Sequence, residues 1–344
     1  MILSILYLSA LGLSVVLVKI LIAQFQKDLL DLPNERSSHT QPTPRGGGLG
    51  FIVSFLLVTG LASLFDAMPD AIIPIGAWLC LIPLVMISFL DDWKPLPVSI
   101  RYLVQLLVVF AIVIAGLGAF PFLPNQVNSI VSETGAILLT VIGMTALINF
   151  YNFMDGLDGL VAGTAIVQLG FLAIWSGNSS LWILVAAVMG FLVWNWQPAK
   201  IFMGDSGSTF IGAAIAIALL SKNSTRPDVW SALSITLPIT LDTIYTLFRR
   251  LLRRENIFQA HRSHLYQQLH QSGWSHGQVA SLYITASLLL SLSLLVLGHQ
   301  GGWLNLASGS LSLAVVELYL RSKRVRESQE SSVDALALKS NPLD

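Results

Sequence analysis

Six stretches of the 344-residue chain contain no Asp, Glu, Lys or Arg: 46–65, 71–90, 102–132, 134–154, 159–199 and 263–316. A helix needs about 20 mostly apolar residues to cross bilayer hydrocarbon, and the last two stretches are long enough for two spans each. Only 11% of residues are charged and 54% are hydrophobic, against about a quarter charged in a soluble domain. The expected fold is therefore an all-α, polytopic membrane protein. About eleven spans are expected, over 2–24, 49–65, 71–90, 101–120, 134–150, 159–175, 181–195, 207–221, 229–248, 278–297 and 302–320. Residues 181–195 and 207–221 are short for the purpose. Met1–Gln24 has no basic n-region and no clear small-residue cleavage site, so it reads as a retained span. No internal repeat is evident; 1–320 reads as one domain and 321–344 as a polar, disordered tail.

The basic residues orient the chain. With the N-terminus outside and alternating loops, 16 of the 19 Lys and Arg fall inside: Lys27, Arg36, Arg45, Lys94, Arg101, Lys200, five arginines over 249–262, and the tail. Lys222 and Arg226 fall outside, beside Asp66, Asp70, Glu133 and Asp228, and Lys19 lies within the first span. By the positive-inside rule this places the C-terminus and all the polar motifs in the cytoplasm. Zero formal net charge and no long basic arm argue against nucleic acid as a partner. A single cysteine, Cys80, in an apolar run excludes a disulfide framework or a cysteine metal site.

Residues 149–159 read Asn-Phe-Tyr-Asn-Phe-Met-Asp-Gly-Leu-Asp-Gly. Ionisable groups at a membrane boundary are costly to desolvate and are usually kept for a task. The stretch has no cation of its own to neutralise Asp155 and Asp158, so a divalent ion is the simplest counter-charge. Asn149 and Asn152 precede the acids at the same spacing, so if the loop is helical all four project to one face. Such a face offers oxygen ligands to a hard cation and amide donors to a sugar or base.

Asp91-Asp92 closes an uncharged run of twenty residues beside Trp93. Adjacent carboxylates repel, so one serves as a base through a raised pKa, or one binds metal while the other handles protons. Gly204-Asp205-Ser-Gly-Ser208 opens an apolar span, the usual setting for backbone N–H groups that hold phosphate. Phosphate would repel Asp205 unless a metal lay between them. His261, Arg262 and His264 follow four arginines and suit a diphosphate and the charge that leaves with it. No Cys or Glu stands where a zinc site would need one. Asp242 lies deep in a span and must face other helices or water; its role is open. Of the remaining histidines, His270, His276 and His299 read as surface or loop residues, and His39 as a candidate. Together these features suit phosphoryl transfer from a soluble anionic donor to a lipid. The alternatives are a cation-coupled membrane transporter, which predicts deep charges and inverted repeats, and a membrane scaffold.

The motifs resemble those of the polyprenyl-phosphate N-acetylhexosamine-1-phosphate transferases, which include the phospho-muramoyl-pentapeptide transferase of peptidoglycan synthesis. The likeness spans about 31–269: Asp31-Leu-Pro-Asn-Glu-Arg, His39, Pro44-Arg-Gly-Gly, Leu90-Asp-Asp, Asn149-x-x-Asn-x-x-Asp-Gly-Leu-Asp-Gly, Asn195-x-x-Pro-Ala-Lys-x-Phe-Met-Gly-Asp-Ser-Gly-Ser and the Arg/His loop. The resemblance implies transfer of a sugar 1-phosphate from a UDP-N-acetylated sugar to undecaprenyl phosphate, releasing UMP, with Mg²⁺ (Mn²⁺ as a substitute). It implies the bacterial inner membrane, a cytoplasmic active site and, from the closer relatives, initiation of O-antigen, lipopolysaccharide or related envelope glycans. A homodimer is an allowed assembly.

By position, the resemblance makes Asp205 the metal aspartate, joined by Asp92 and Asn152. Asp91 and Asp92 match the pair tied to deprotonating the lipid phosphate. Asn149, Asn152, Asp155 and Asp158 match the loop around nucleotide and metal, and His264 the catalytic-loop histidine. His39, Arg45, Asn195, Phe202, His261 and Arg262 are implied in substrate binding. A one-step transfer and a two-step route through an aspartyl intermediate both remain open.

Two departures stand out. Where many members have Arg-Lys-x-His, this chain has Arg36-Ser-Ser-His39, and for Asp-Arg-x-His-x-His-His it has His261-Arg-Ser-His264-Leu-Tyr266-Gln267. Because this loop is expected to face the sugar, a 6-deoxy N-acetylated donor is the expectation.

Overall fold

In a bilayer the backbone must satisfy its own hydrogen bonds, and the computed structural model is accordingly almost wholly helical. It describes residues 2–33, 38–68, 71–114, 130–221, 229–256 and 261–340, with the backbone alone for 130–132 and 327–340. Arg36, Asp70, Lys222, Arg226, Asp228 and the end of the fourth span lie outside the described residues. The elements run α1 (Ile2–Asp28), β1 (Leu30–Asp31), β2 (Thr43–Pro44), α2 (Gly48–Leu64), α3 (Ile75–Leu79), α4 (Ile82–Trp93), α5 (Val98–Ile112) and α6 (Ile130–Met154). They continue with α7 (Leu160–Ser176), α8 (Ser179–Asn195), α9 (Gly204–Leu220), α10 (Val229–Leu233), a 3₁₀ turn (Ser234–Thr236), α11 (Leu237–Leu252), α12 (Leu265–Gln271), α13 (His276–Leu297) and α14 (His299–Ser340).

Among the described residues, six helical segments are long and apolar enough to cross a membrane, and five shorter apolar helices accompany them. Breaks fall where turn chemistry puts them. Pro74 and Pro97 precede α3 and α5, and Pro83 sits in the first turn of α4, where a missing N–H costs nothing. Gly177, at φ 72°, closes α7, and the Asn178 side chain caps α8 by accepting the Ser180 N–H at 3.1 Å.

The short helices are the innermost. Every residue of α9 from Ser206 to Leu220 is buried, as are most of α7 and α8. At 17 residues each, they are about 25 Å long, below the hydrocarbon thickness. Longer helices such as α1 and α14 lie at the periphery, with few of their apolar residues buried.

Lipid offers no hydrophobic drive between helices, so small residues and polar links join them. A Cβ on Gly48 would lie 2.4 Å from Gly207 Cα, so α2 and α9 touch backbone to backbone. Gln168 of α7 accepts from Tyr151 Oη at 2.5 Å. It donates to Ile235 O and Ser287 Oγ, both at 3.2 Å, serving the carbonyl that the 3₁₀ turn frees.

The last helix departs from the sequence expectation. Rather than turning irregular near 321, α14 continues to Ser340. Glu317 pairs with Arg321 one turn on, at 2.8 Å, and the following residues are mostly good helix formers.

Candidate active site

The polar motifs converge at one end of the bundle, where α4, α6 and α8 finish and α2, α7 and α9 begin. β1 and β2 pair antiparallel, setting Leu30 against Pro44. The strand is tied to the fourth motif by Phe202 N–H to Pro44 O (2.8 Å), Gly47 N–H to Phe202 O (2.9 Å) and Gly48 N–H to Met203 O (2.9 Å). These bonds, with the Gly48–Gly207 contact, fix the first loop against the start of α9.

Asp92, 3% exposed, caps that start. Its Oδ1 accepts the Asp205 N–H at 3.2 Å and its Oδ2 the Ser206 N–H at 3.4 Å, while Arg45 donates to its backbone carbonyl. Asp91 is held by other partners. Arg101 holds its Oδ2 at 2.6 Å, and its Oδ1 accepts the Leu96 N–H at 2.6 Å. Arg101 also reaches Asp205 Oδ2 at 3.5 Å.

Two polar cavities meet here. The first, about 350 Å³, is lined by Asp92, Asp155, Asp158 and Asp205 together with His39, Arg45, Asn195, Phe202, His261 and Arg262. The second, about 280 Å³, is lined by Arg101, Gln105, Asn149, Asn152, Asp205 and His264. Asp205, His261 and Gln267 border both, and Asp91 lines neither. The acidic-loop residues therefore do not share one face. Helix α6 ends at Met154, and Asp155 and Asp158 lie in the turn before Gly159, which is at φ 72°. That bend sends Asn149 and Asn152 to the second cavity and the two acids to the first. The Asn149 amide donates to Gln105 Oε1 at 2.8 Å, and that of Asn152 to Ser208 Oγ at 3.1 Å.

The two acids differ. Asp158 is engaged by His276 Nδ1 at 3.1 Å and by the Ala199 N–H at 3.0 Å. Asp155 has no ion-pair partner among the described residues. Loss of solvent, then the facing Asp205, Asp92 and Asp158, push its carboxyl well above the usual carboxylate range. Asn195 is a brace, accepting the Gly159 N–H at 3.1 Å and donating to Ile201 O at 3.0 Å. The His39 and Phe202 rings meet edge to face at 4.9 Å.

The Arg/His loop closes the site. His261 Nδ1 lies 3.0 Å from Ser263 Oγ, and its ring 4.9 Å from that of His264. Partial burial, then His264, Arg250 and Arg249, hold His261 down to about 4, so it is neutral at physiological pH. Tyr266 Oη donates to Phe153 O at 3.0 Å and packs on Gly156, docking α12 on the acidic turn.

Among the described residues, no three His, Cys, Asp or Glu side chains form a ready-made ion cage. The chemistry of the cavity still fits a hard cation: Asp92, Asp155 and Asp205 line it, and Asp155 has no ion-pair partner among the described residues. Sequence reasoning missed several residues here. His276, read as a loop residue, is buried and reaches Ser38 O at 3.2 Å as well as Asp158. His270 and Gln267 line the first cavity, and Arg101 and Gln105 the second. Only the Arg/His-loop spacing could have flagged Gln267, and nothing local marked His276.

Fold and site together define a multi-pass, all-α membrane protein with a carboxylate- and amide-lined site where its helix ends gather. Comparison with known proteins narrows this. A sequence model of glycosyl transferase family 4 matches residues 74–223. The chain is 31% identical over 296 residues to a Bacillus subtilis protein described as a probable undecaprenyl-phosphate N-acetylglucosaminyl 1-phosphate transferase, covering 80% of this chain and 79% of that one. It is 31% identical over 288 residues to the decaprenyl-phosphate N-acetylglucosaminephosphotransferase of Mycobacterium tuberculosis, covering 72% and 70%. Identity is 28% over 281 residues, covering 76% and 75%, to the undecaprenyl-phosphate alpha-N-acetylglucosaminyl 1-phosphate transferase of Escherichia coli K12. The chain belongs to glycosyl transferase family 4, the family its motifs resemble.

Proposed function

We propose that this protein transfers an N-acetylhexosamine 1-phosphate from a UDP-sugar to undecaprenyl phosphate, releasing UMP, at the cytoplasmic face of a bacterial inner membrane. The observation that carries the reading is the convergence of Asp92, Asp155 and Asp205, from three separate segments, on one cavity rimmed by Arg45 and Arg262. A transporter reading has less support: the buried acids Asp242 and Glu317, both within spans, are engaged by neighbouring side chains, and no repeat is evident in the sequence.

The donor is assigned to the first cavity. Arg45 and Arg262 offset its diphosphate charge, and the Phe202 ring and the Asn195-braced loop border the nucleoside. The acceptor phosphate is assigned to the second cavity, beside Arg101 and the amides of Asn149 and Asn152. Its isoprenoid tail has a path along α6. An apolar cavity of about 700 Å³ between α6, α9, α11 and α14 is lined by Ala146 and Phe150, and Phe153 lies at the second polar cavity on the same helical stripe.

Asp91 is held by Arg101 and lines neither cavity, whereas Asp92 is bonded to the backbone of Asp205, which borders both, and this favours Asp92 as the base on an acceptor phosphate brought to the junction of the two cavities. The freed phosphate oxygen attacks the β-phosphorus of the UDP-sugar, the bond to the bridging oxygen breaks, and UMP departs with the electron pair. His261 and Arg262, on the donor cavity, stand where charge grows on the leaving group, and His264 lines the acceptor cavity. Asp205 and Asp155, with Asn152 nearby, would hold Mg²⁺, which would supply charge neutralisation of the diphosphate.

The relatives named above carry N-acetylglucosamine in their names, so UDP-GlcNAc is the first donor to test. The 6-deoxy N-acetylated donor rests on the two loop departures, and initiation of O-antigen or a related envelope glycan follows the same resemblance. The purified protein, given Mg²⁺, undecaprenyl phosphate and a panel of UDP-sugars, should release UMP in step with a lipid-linked sugar diphosphate. No UMP from any donor would refute the reading.

A further inference from the structure

We propose that Asp242, a carboxylate deep in α11, is the positioning residue that sets the Arg/His loop against the acidic turn. The inference rests on the transferase reading above. Asp242 is 2% exposed, and a charge placed so deep is kept only where it is fully engaged or has a task.

Its donors come from three helices. Oδ1 accepts the Leu265 N–H at 2.8 Å and Thr246 Oγ1 at 3.2 Å; Oδ2 accepts the Tyr266 N–H at 3.0 Å and Tyr283 Oη at 2.7 Å. His264 Nδ1 is buried and lies 3.5 Å from Asp242 Oδ1. One carboxylate thus grips the first two N–H groups of α12 and one edge of the His264 ring.

What hangs from that grip is the site wall. His264 lines the second cavity and Gln267, one turn on, borders both. Tyr266 carries the constraint onward, because its hydroxyl donates to Phe153 O at 3.0 Å and abuts Gly156, next to Asp155. Rotation of the Asp242 carboxylate would therefore move His264, Gln267 and the Asp155 turn together. Asp242 touches neither polar cavity, so it acts only through these residues. Neutralising it swaps one acceptor oxygen for an NH₂ group aimed at backbone N–H donors, which forces that rotation.

The test uses the full-length protein with Mg²⁺, UDP-sugar and undecaprenyl phosphate, comparing Asp242→Asn, Asp242→Glu and Tyr283→Phe. Asp242→Asn is expected to lower kcat about 30-fold or more, with KM for the UDP-sugar within about threefold, since misplacement by an ångström is enough for such a loss. Asp242→Glu, which keeps the charge and both acceptors, should recover to within about tenfold of the parent. Should Asp242→Asn not fold, Tyr283→Phe decides. It removes one donor, and kcat is expected to fall about 3–10-fold at unchanged KM. An unchanged kcat in the folded variants, or a glutamate no better than the asparagine, would overturn the proposal. Deuterium uptake over 261–271 supplies a readout independent of turnover. It should rise in Asp242→Asn, and a flat result overturns the proposal even if the parent shows no transferase activity, a failure that would count only against the transferase reading.

Discussion

Gly48→Ala tests the seam on which the site is built. A Cβ at this position would lie 2.4 Å from Gly207 Cα, 2.7 Å from Gly207 N and 2.9 Å from Met203 O. All three are backbone atoms and cannot swing aside. Ordinary carbon contacts start near 3.5 Å, so α2 and α9 must part by about 1 Å. Overpacking of this kind costs about 1–3 kcal/mol, or roughly 1–4 °C in unfolding midpoint for a chain of this size. The larger effect falls on activity. The seam carries the Gly48 N–H to Met203 O bond and leads straight to Gly204 and Asp205, and a shift of about 1 Å at a reacting centre is worth about 100-fold in rate. Gly60→Ala on the same helix is the control, since a Cβ there meets nothing within 4 Å. Thermal unfolding in detergent and UMP release should separate the two variants. Equal midpoints and equal rates for Gly48→Ala, Gly60→Ala and the parent would refute the close backbone approach and the placement of the site on it.

Three further outcomes follow from the geometry. His276→Ala removes the imidazole between Asp158 and Ser38; it should raise KM for the UDP-sugar about 10-fold and cost about 1–3 kcal/mol of stability, measured by kinetics and thermal unfolding. The Asp155 carboxyl is raised, so in metal-free protein its contribution to stability is present at low pH and is lost as pH climbs above the ordinary carboxylate range. Asp155→Asn should flatten that decline in midpoint against pH while lowering turnover about 100-fold or more, and a pH profile identical to the parent's would contradict the assignment. Chelation should stop UMP release, Mg²⁺ should restore it, and Mn²⁺ should substitute, as read by titrating metal back into the assay.

Much of this was legible in the sequence for simple reasons. Uncharged runs of twenty residues can lie in lipid only as helices, so the apolar segments and their breaks were readable from Pro, Gly and charge alone. The five motifs were readable because hard-cation and phosphate chemistry needs carboxylates, amides and glycines that a bilayer otherwise excludes. What sequence could not supply was direction. Asp91 and Asp92 are neighbours in the chain, yet on a helix their side chains point about 100° apart, and only packing shows that Arg101 takes one while the start of α9 takes the other. The split of Asn149 and Asn152 from Asp155 and Asp158 follows from where α6 stops, which the Gly residues hinted at without fixing. His276 and Asp242 were opaque because their partners outside their own helices lie 118 and 23 or more residues away.

The central claim is that carboxylates from separate segments enclose one cation in a single cavity. Electron paramagnetic resonance of Mn²⁺ added to the purified protein tests it most directly. One tightly held Mn²⁺ per chain is expected, lost in Asp205→Asn and weakened in Asp155→Asn, but retained in Asp91→Asn, where Arg101 has already taken the charge. Mn²⁺ bound equally by the parent and by Asp205→Asn would contradict it.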